Sequence, residues 1–183
     1  MGRIKYGIDL GTTNSALAVI DRGESTIVKN EAQNDITPSC VGFNKRKGIS
    51  VGMRTFNQLT QDKLRALKTE KTMSSNTFIE FKRTMGSDKK YHSSFMETDF
   101  SSEELSAEVL KKLKSFVQND NFKSVVITIP AMFNDNQKTA TQKAAELAEL
   151  SDKLTSHKLE SDTYNLDRKQ TLLTLFSMIE AAR

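Results

Sequence analysis

GIDLGTTNSALAVI occupies residues 7–20. One acid, Asp9, sits in an apolar run; Gly11, Thr12, Thr13, Asn14 and Ser15 follow, and apolar residues then resume. Two apolar runs around a short polar turn read as a β-hairpin. Gly11 lets the backbone approach a ligand, turn amides can point outward and the hydroxyls can donate, so the tip suits a phosphate. A carboxylate in an apolar strand needs a partner. A hydrated Mg²⁺ beside phosphates is one candidate. The turn's own amides are the other, and the residues alone leave both open. The chain carries no G-x-x-x-x-G-K-[ST], so this is not a Walker A loop.

Working outward, residues 25–30 read as a third strand. TPSCVGF (37–43) reads as another, with Pro38 near its start, where a missing N–H is tolerated. GISVG (48–52) is short and extended, and residues 53–75 are polar and helix-prone, broken at MSSN. NTFIEFKRTMG (76–86) predicts a helix, with Phe78, Phe81 and Met85 on one face and Gly86 at its end. Lys82 falls within that face. It can snorkel at the edge of the stripe, or it can aim into a cleft at phosphate or an attacking water. Residues 87–100 read as irregular with a short strand.

Ser101 and Glu104 then form a capping box. The helix they open has a stripe of Leu105, Val109, Leu113, Phe116 and Val117. SVVITI (124–129) is a buried strand closed by Pro130. A second helix begins with Asn134 or Asp135 as cap, and Ala140, Ala144, Ala148 and Leu147 face inward. The order gives an α/β fold, a mixed sheet flanked by helices. Residues 151–165 form a polar connection, and 166–183 an amphipathic helix with Leu172, Leu173, Phe176 and Ile179 inward.

Composition narrows the function classes. The 183 residues are 37% apolar and 27% charged, which suits one soluble domain or two small lobes. A single cysteine, Cys40, excludes an internal disulfide and fits a reducing compartment. No stretch reaches the roughly 18 apolar residues of a membrane span, and the N-terminus has no apolar signal core. A cytoplasmic protein without a membrane partner is expected. The net charge of +4 is spread among acids, and there is no Trp, so a solvated surface fits better than a nucleic-acid face. His92, His157 and Cys40 lie at no metal-ligand or nucleophile–base spacing.

Four stretches together carry a family resemblance. IDLGTTNSALAV closely resembles the first phosphate motif of the DnaK-type, seventy-kilodalton heat-shock chaperones, which serve the stress response. TPSCVGF resembles their T-P-S-x-V/I strand, NTFIEFKRTMG their N-T-x-x-x-x-K-R-x-x-G segment, and VVITIPAMFNDNQKTAT their V-x-T-V-P-A-x-F-N-D-x-Q-R-x-A-T element. All four occur in the family's order across about residues 4–150. The D-x-G-T-T element alone also occurs in actin-fold sugar kinases, but the other three fit the chaperones far better.

The resemblance implies the first lobe of an actin-like (ribonuclease H-like) ATPase over residues 1–150, with a smaller inserted subdomain at about 40–100. It implies ATP or ADP with Mg as cofactor. Gly11, Thr12, Thr13 and Asn14 would line the phosphates, and Asp9 would contact Mg through water. Thr13, at the γ-phosphate end, and Lys82, orienting the attacking water, would be catalytic. Pro130 and Lys138 would sit at a switch relaying nucleotide state to a substrate-binding domain. The implied function is an ATP-binding chaperone lobe, in the family hydrolysing ATP to control protein-substrate binding. The alternative is a non-enzymatic lobe that docks to co-chaperones or a full-length chaperone. Three departures bear on this. Lys138 stands where the family has arginine, and Met132 where it usually has an aromatic. After Leu150 the family's second phosphate loop, adenosine motif and second lobe have no counterpart in the 183 residues.

Overall fold

In the computed structural model, residues 6–21, 24–69, 76–117, 122 and 125–150 are described. The opening stretch forms the expected hairpin. Strands β1 (Tyr6–Asp9) and β2 (Asn14–Asp21) pair antiparallel, with Tyr6 opposite Val19 and Asp9 opposite Ala16. Strand β3 (Glu24–Val28) extends the sheet on the far side of β2.

The segment TPSCVGF is two strands rather than one. Thr37–Pro38 (β4) pairs with β2, whereas Cys40–Phe43 (β5) pairs with β6 (Ile49–Val51) and β7 (Thr77–Ile79). Ser39 lies at the break: its N–H still follows the β2 side, donating to the Thr13 carbonyl at 2.9 Å, whereas the next residue, Cys40, already pairs with β7. The second sheet, ordered β6-β5-β7, carries helix α1 (Met53–Thr69).

Residues 76–86 do not form the predicted helix. They form β7 and then a single 3-10 turn, Phe81–Thr84. The edge of β5 claims Thr77–Ile79, with Cys40 opposite Ile79. Left-handed residues then bracket the turn, Glu80 at φ 57° and Gly86 at φ 73°. Phe81 and Met85 are buried as the periodicity suggested, but Phe78 is only partly so. Residues 87–100, expected to be largely irregular, contain a hairpin of β8 (Lys90–Ser93) and β9 (Thr98–Ser101).

Helix α2 (Ser102–Lys114) opens on the predicted capping box: Glu104 N–H donates to Ser101 Oγ at 3.2 Å, and Ser101 N–H to Glu104 Oε2 at 2.7 Å. It leads to β10 (Val125–Thr128), which runs parallel to β1 and places Thr128 opposite Asp9. A parallel pair needs such a crossover. The main sheet is therefore ordered β10-β1-β2-β3 and is mixed. All four β10 residues are buried, as a parallel strand's should be.

Helix α3 (Asp135–Leu147) takes Asn134 as its cap, reciprocated by Gln137. Ala140, Ala144 and Ala148 are buried, but Leu147 is 41% exposed, contrary to expectation. The buried stripe runs through Thr141 and Ala145 instead, a helical face on which position 147 falls to the flank. Helices α2 and α3 pack on each other and on Ile8, Leu10, Leu17 and Ile127 of the sheet. The amphipathic stretch 166–183 lies outside the described residues. No helix among the described residues is long and apolar enough to cross a membrane.

Candidate functional site

The hairpin tip is held from beneath by two buried serines. Gly11 N–H donates to Ser15 Oγ at 3.1 Å, and Ser39 Oγ donates to the Gly11 carbonyl at 2.7 Å. The two hydroxyls lie 2.9 Å apart. A hydroxyl has one proton, and that of Ser39 is committed to Gly11, so Ser15 donates to Ser39. Both polar groups of the Gly11 peptide are thus taken. The Gly11 amide points inward, which leaves the Thr12 and Thr13 portion of the tip to meet a ligand. Among the described residues no protein group hydrogen-bonds the Thr12 or Thr13 hydroxyl, and Thr13 is exposed.

Lys82 reaches this tip from the 3-10 turn. Its ammonium donates to the Leu10 carbonyl and lies 5.3 Å from the centre of the Phe133 ring. The side chain is only 6% exposed, so it is not a snorkelling surface lysine. Its turn is fixed on both sides by the start of α2. Thr84 Oγ1 donates to the Phe81 carbonyl at 3.0 Å and lies 2.7 Å from Ser102 Oγ and 2.8 Å from the Tyr91 hydroxyl. Gly86 N–H donates to Glu103 Oε1 at 3.0 Å. Burial pushes the Glu103 carboxyl up. Its own amide, the Gly86 amide, the Ser101 hydroxyl and the Lys143 charge outweigh that and hold it below its ordinary value. Gly86 also lies against α3, where an added Cβ would come within 2.9 Å of Asn136 backbone atoms.

Asp9 ends β1 half-buried, and the parallel register sets Thr128 beside it, so that Thr128 Oγ1 donates to Asp9 Oδ1 at 3.0 Å. One carboxylate oxygen therefore has a neutral partner. The other has no partner among the described residues. This suits a hydrated Mg²⁺, which binds through one or two carboxylates and substrate phosphates more than through a protein cage. The described residues hold no cluster of three or more His, Cys, Asp or Glu side chains, so a fully protein-ligated metal is not built here.

The segment after β10 supplies the last wall. Phe133 N–H donates to the Pro130 carbonyl at 3.0 Å, and this tight turn lays the Phe133 ring against Lys82. Lys138 does not join the cluster. It pairs with Asp135 at 2.9 Å within the first turn of α3, and that contact lowers the exposed Asp135 carboxyl's pKa. Met132 is 94% exposed. Asn14 lies at the tip, at the start of β2.

The structure thus brings Gly11, Thr12, Thr13, Asn14, Asp9 and Lys82 to one end of the main sheet and carries Pro130 to its border. Sequence reading counted Ser15 among the tip hydroxyls without its bracing role, and missed Ser39, Thr128 and Phe133. Thr128 could have been found by aligning the two apolar strands in parallel. Ser15 and Ser39 are 24 residues apart and gave no local signal. A family model described as Hsp70 protein matches residues 5–153.

Proposed function

This chain belongs to the Hsp70 family, with the actin-like ATPase fold of that family's nucleotide-binding domain, and we propose on that premise that its hairpin tip binds the phosphates of ATP. The observation that carries the reading is the Lys82–Leu10 contact. It gathers a cation, two unpartnered threonine hydroxyls and a half-committed carboxylate at one point. Gly11, Thr12, Thr13 and Asn14 line the phosphates, with Thr13 at the γ end. Asp9 holds Mg²⁺ through water, and the metal neutralises phosphate charge when bound. Lys82 positions the attacking water, with Phe133 and the Leu10 carbonyl limiting where its ammonium can go. Such a site works by positioning and charge stabilisation. Pro130 serves as the switch because the turn it begins ends on the ring that touches Lys82; Lys138 enters the switch on the motif alone, from the first turns of α3. Residues 1–150 constitute the first lobe and about 40–100 its inserted subdomain. The protein acts in the cytoplasm, and its cargo is protein substrate bound under nucleotide control.

A second reading rests on Met132, which stands 94% exposed beside the switch turn. In it the lobe is a non-enzymatic docking piece for a co-chaperone or a full-length chaperone. Calorimetric titration of Mg-ATP into the chain separates the two. Micromolar binding that Asp9→Asn abolishes, with Lys82→Ala binding ATP but not turning it over, supports the ATP site. A cooperatively folded chain that gives no heat at millimolar Mg-ATP sinks it.

A further inference from the structure

The second sheet has an open edge. Its order, β6-β5-β7, leaves one side of β6 unpaired. Asn44 N–H donates to the Gly48 carbonyl and Gly52 N–H to the Cys40 carbonyl, so positions 48, 50 and 52 are the ones bonded to β5. Bonded and non-bonded pairs alternate along an antiparallel ladder. Ile49 and Val51, opposite Phe43 and Val41, therefore turn their N–H and C=O groups away from β5. Among the described residues no hydrogen bond is found to these four groups.

This edge borders a cleft of about 940 Å³ walled by α1 and α2. Pleating decides which wall each side chain meets. Ser50 points to α1, where its Oγ accepts from Thr55 Oγ1 at 2.9 Å. Ile49 and Val51 point to the α2 side, where Phe43 and Val41 join the core, and Ile49 remains 45% exposed. The α1 wall is polar, with Arg54, Asn57 and Gln61. The α2 wall carries Lys111 and Lys112, already paired with Glu108 and Glu31. Arg54 forms no ion pair among the described residues; its charge only helps Lys112 hold the Glu31 carboxyl below its ordinary value.

A recessed edge between two helices calls for an extended main chain, which adds to the sheet as a further strand. The side chains of that strand alternate between the two walls. One set meets Ile49 and Val51 and is apolar. The other meets Arg54 and the α1 amides and is acidic, because a carboxylate gives Arg54 a charge-assisted partner. We propose that the free edge of β6 binds an extended segment of another protein in which apolar and acidic residues alternate, paired to Ile49 and Val51 and anchored on Arg54. No residue of the cleft belongs to the hairpin tip or to the Lys82 turn, so the inference is independent of nucleotide binding.

The test uses the full chain, isotope-labelled for NMR, and an acetylated, amidated hexapeptide of alternating valine and aspartate. At millimolar peptide the amides of Ile49 and Val51 should shift and exchange more slowly, while those of Thr12 and Thr13 stay unchanged. Arg54→Glu should weaken binding roughly tenfold or more and favour the peptide with lysine in place of aspartate. Ile49→Pro removes an outward N–H that an edge strand can spare, so the chain should fold and fail to bind. A change confined to the peptide leaves the protein intact. N-methylating the valines or the aspartates should abolish binding for one set and spare the other, because only alternate residues face β6. No shift at Ile49 and Val51, equal binding of both methylated peptides, or Arg54→Glu without effect would each overturn the proposal. A concentration-dependent dimer that Ile49→Pro dissolves would assign the edge to a second copy and overturn it as well.

Discussion

The hairpin tip at residues 10–13 and the turn at residues 80–86 meet where Lys82 donates to the Leu10 carbonyl. They are held by opposite means. The tip grows from a continuous β ladder and is braced underneath by Ser15 and Ser39. The Lys82 turn has one 3-10 turn of its own and takes its shape from neighbours, Ser102 and Glu103 of α2 and Asn136 of α3. A lysine on such a turn is only as well placed as the two helices gripping it. The tip should therefore survive loss of a single contact better than the turn does.

Gly86→Ala should do the most damage. Position 86 has φ 73°, and the new methyl would come within 2.9 Å of backbone that cannot swing aside. Left-handed strain and overpacking together should cost about 2–4 kcal/mol, read as a drop in the urea midpoint at unchanged m-value. A loss below about 0.5 kcal/mol would mean the turn slides freely over α3 and is not gripped.

Glu103→Ala should come next. It removes the charged acceptor of the part-buried Gly86 N–H bond, a loss of about 1.5–3 kcal/mol, the range for hydrogen bonds to charged groups. Glu103→Gln retains a carbonyl oxygen and should recover part of it. The pH dependence has a definite direction. The carboxyl's folded pKa is below its ordinary 4.5, so its stabilisation is complete above that value and is lost as the pH falls through the lower, folded value. Wild-type stability should therefore fall faster on acidification than that of Glu103→Gln. Parallel curves would show that the Gly86 bond does not depend on the charge.

The same contrast explains what the sequence disclosed. The hairpin, α2 and α3 were legible because each is fixed locally, by turn chemistry, by the Ser101–Glu104 box and by the Asn134–Gln137 box. Residues 76–86 were not. Phe81 and Met85 kept a helical spacing, but the β5 edge captured Thr77–Ile79 and α2 captured Thr84 and Gly86. Tertiary hydrogen bonds overrode the period. Within the site, Asp9, Thr12 and Thr13 announced themselves as polar residues in an apolar frame. Ser39 did not, because its role depends on a strand switching sheets at that residue. Lys138 was legible only through the motif, and its ammonium pairs with Asp135 on its own helix.

Ser39→Ala tests the bracing of the tip. It removes the donor to the Gly11 carbonyl and the acceptor for Ser15, with an expected loss of about 1–2 kcal/mol. Ser39→Ala should also weaken Mg-ATP binding while leaving residues 80–86 undisturbed, as amide exchange at Met85 would show. If Met85 exchange rises as much as in Glu103→Ala, the two turns are one cooperative unit and the contrast between them fails.

The smallest effect should have the opposite sign. Glu80 opens the Lys82 turn at φ 57°, the same left-handed region as Gly86, but with a side chain in place. Its carboxylate pairs with Arg83 at 3.1 Å on an exposed surface, worth little. Glycine there would relieve left-handed strain of about 1–2 kcal/mol and add unfolded-state entropy of about 0.4–1 kcal/mol. Glu80→Gly should thus be neutral to stabilising, by less than about 1 kcal/mol. A clear loss would mean that the Glu80–Arg83 pair, and not only α2 and α3, holds the turn that carries Lys82.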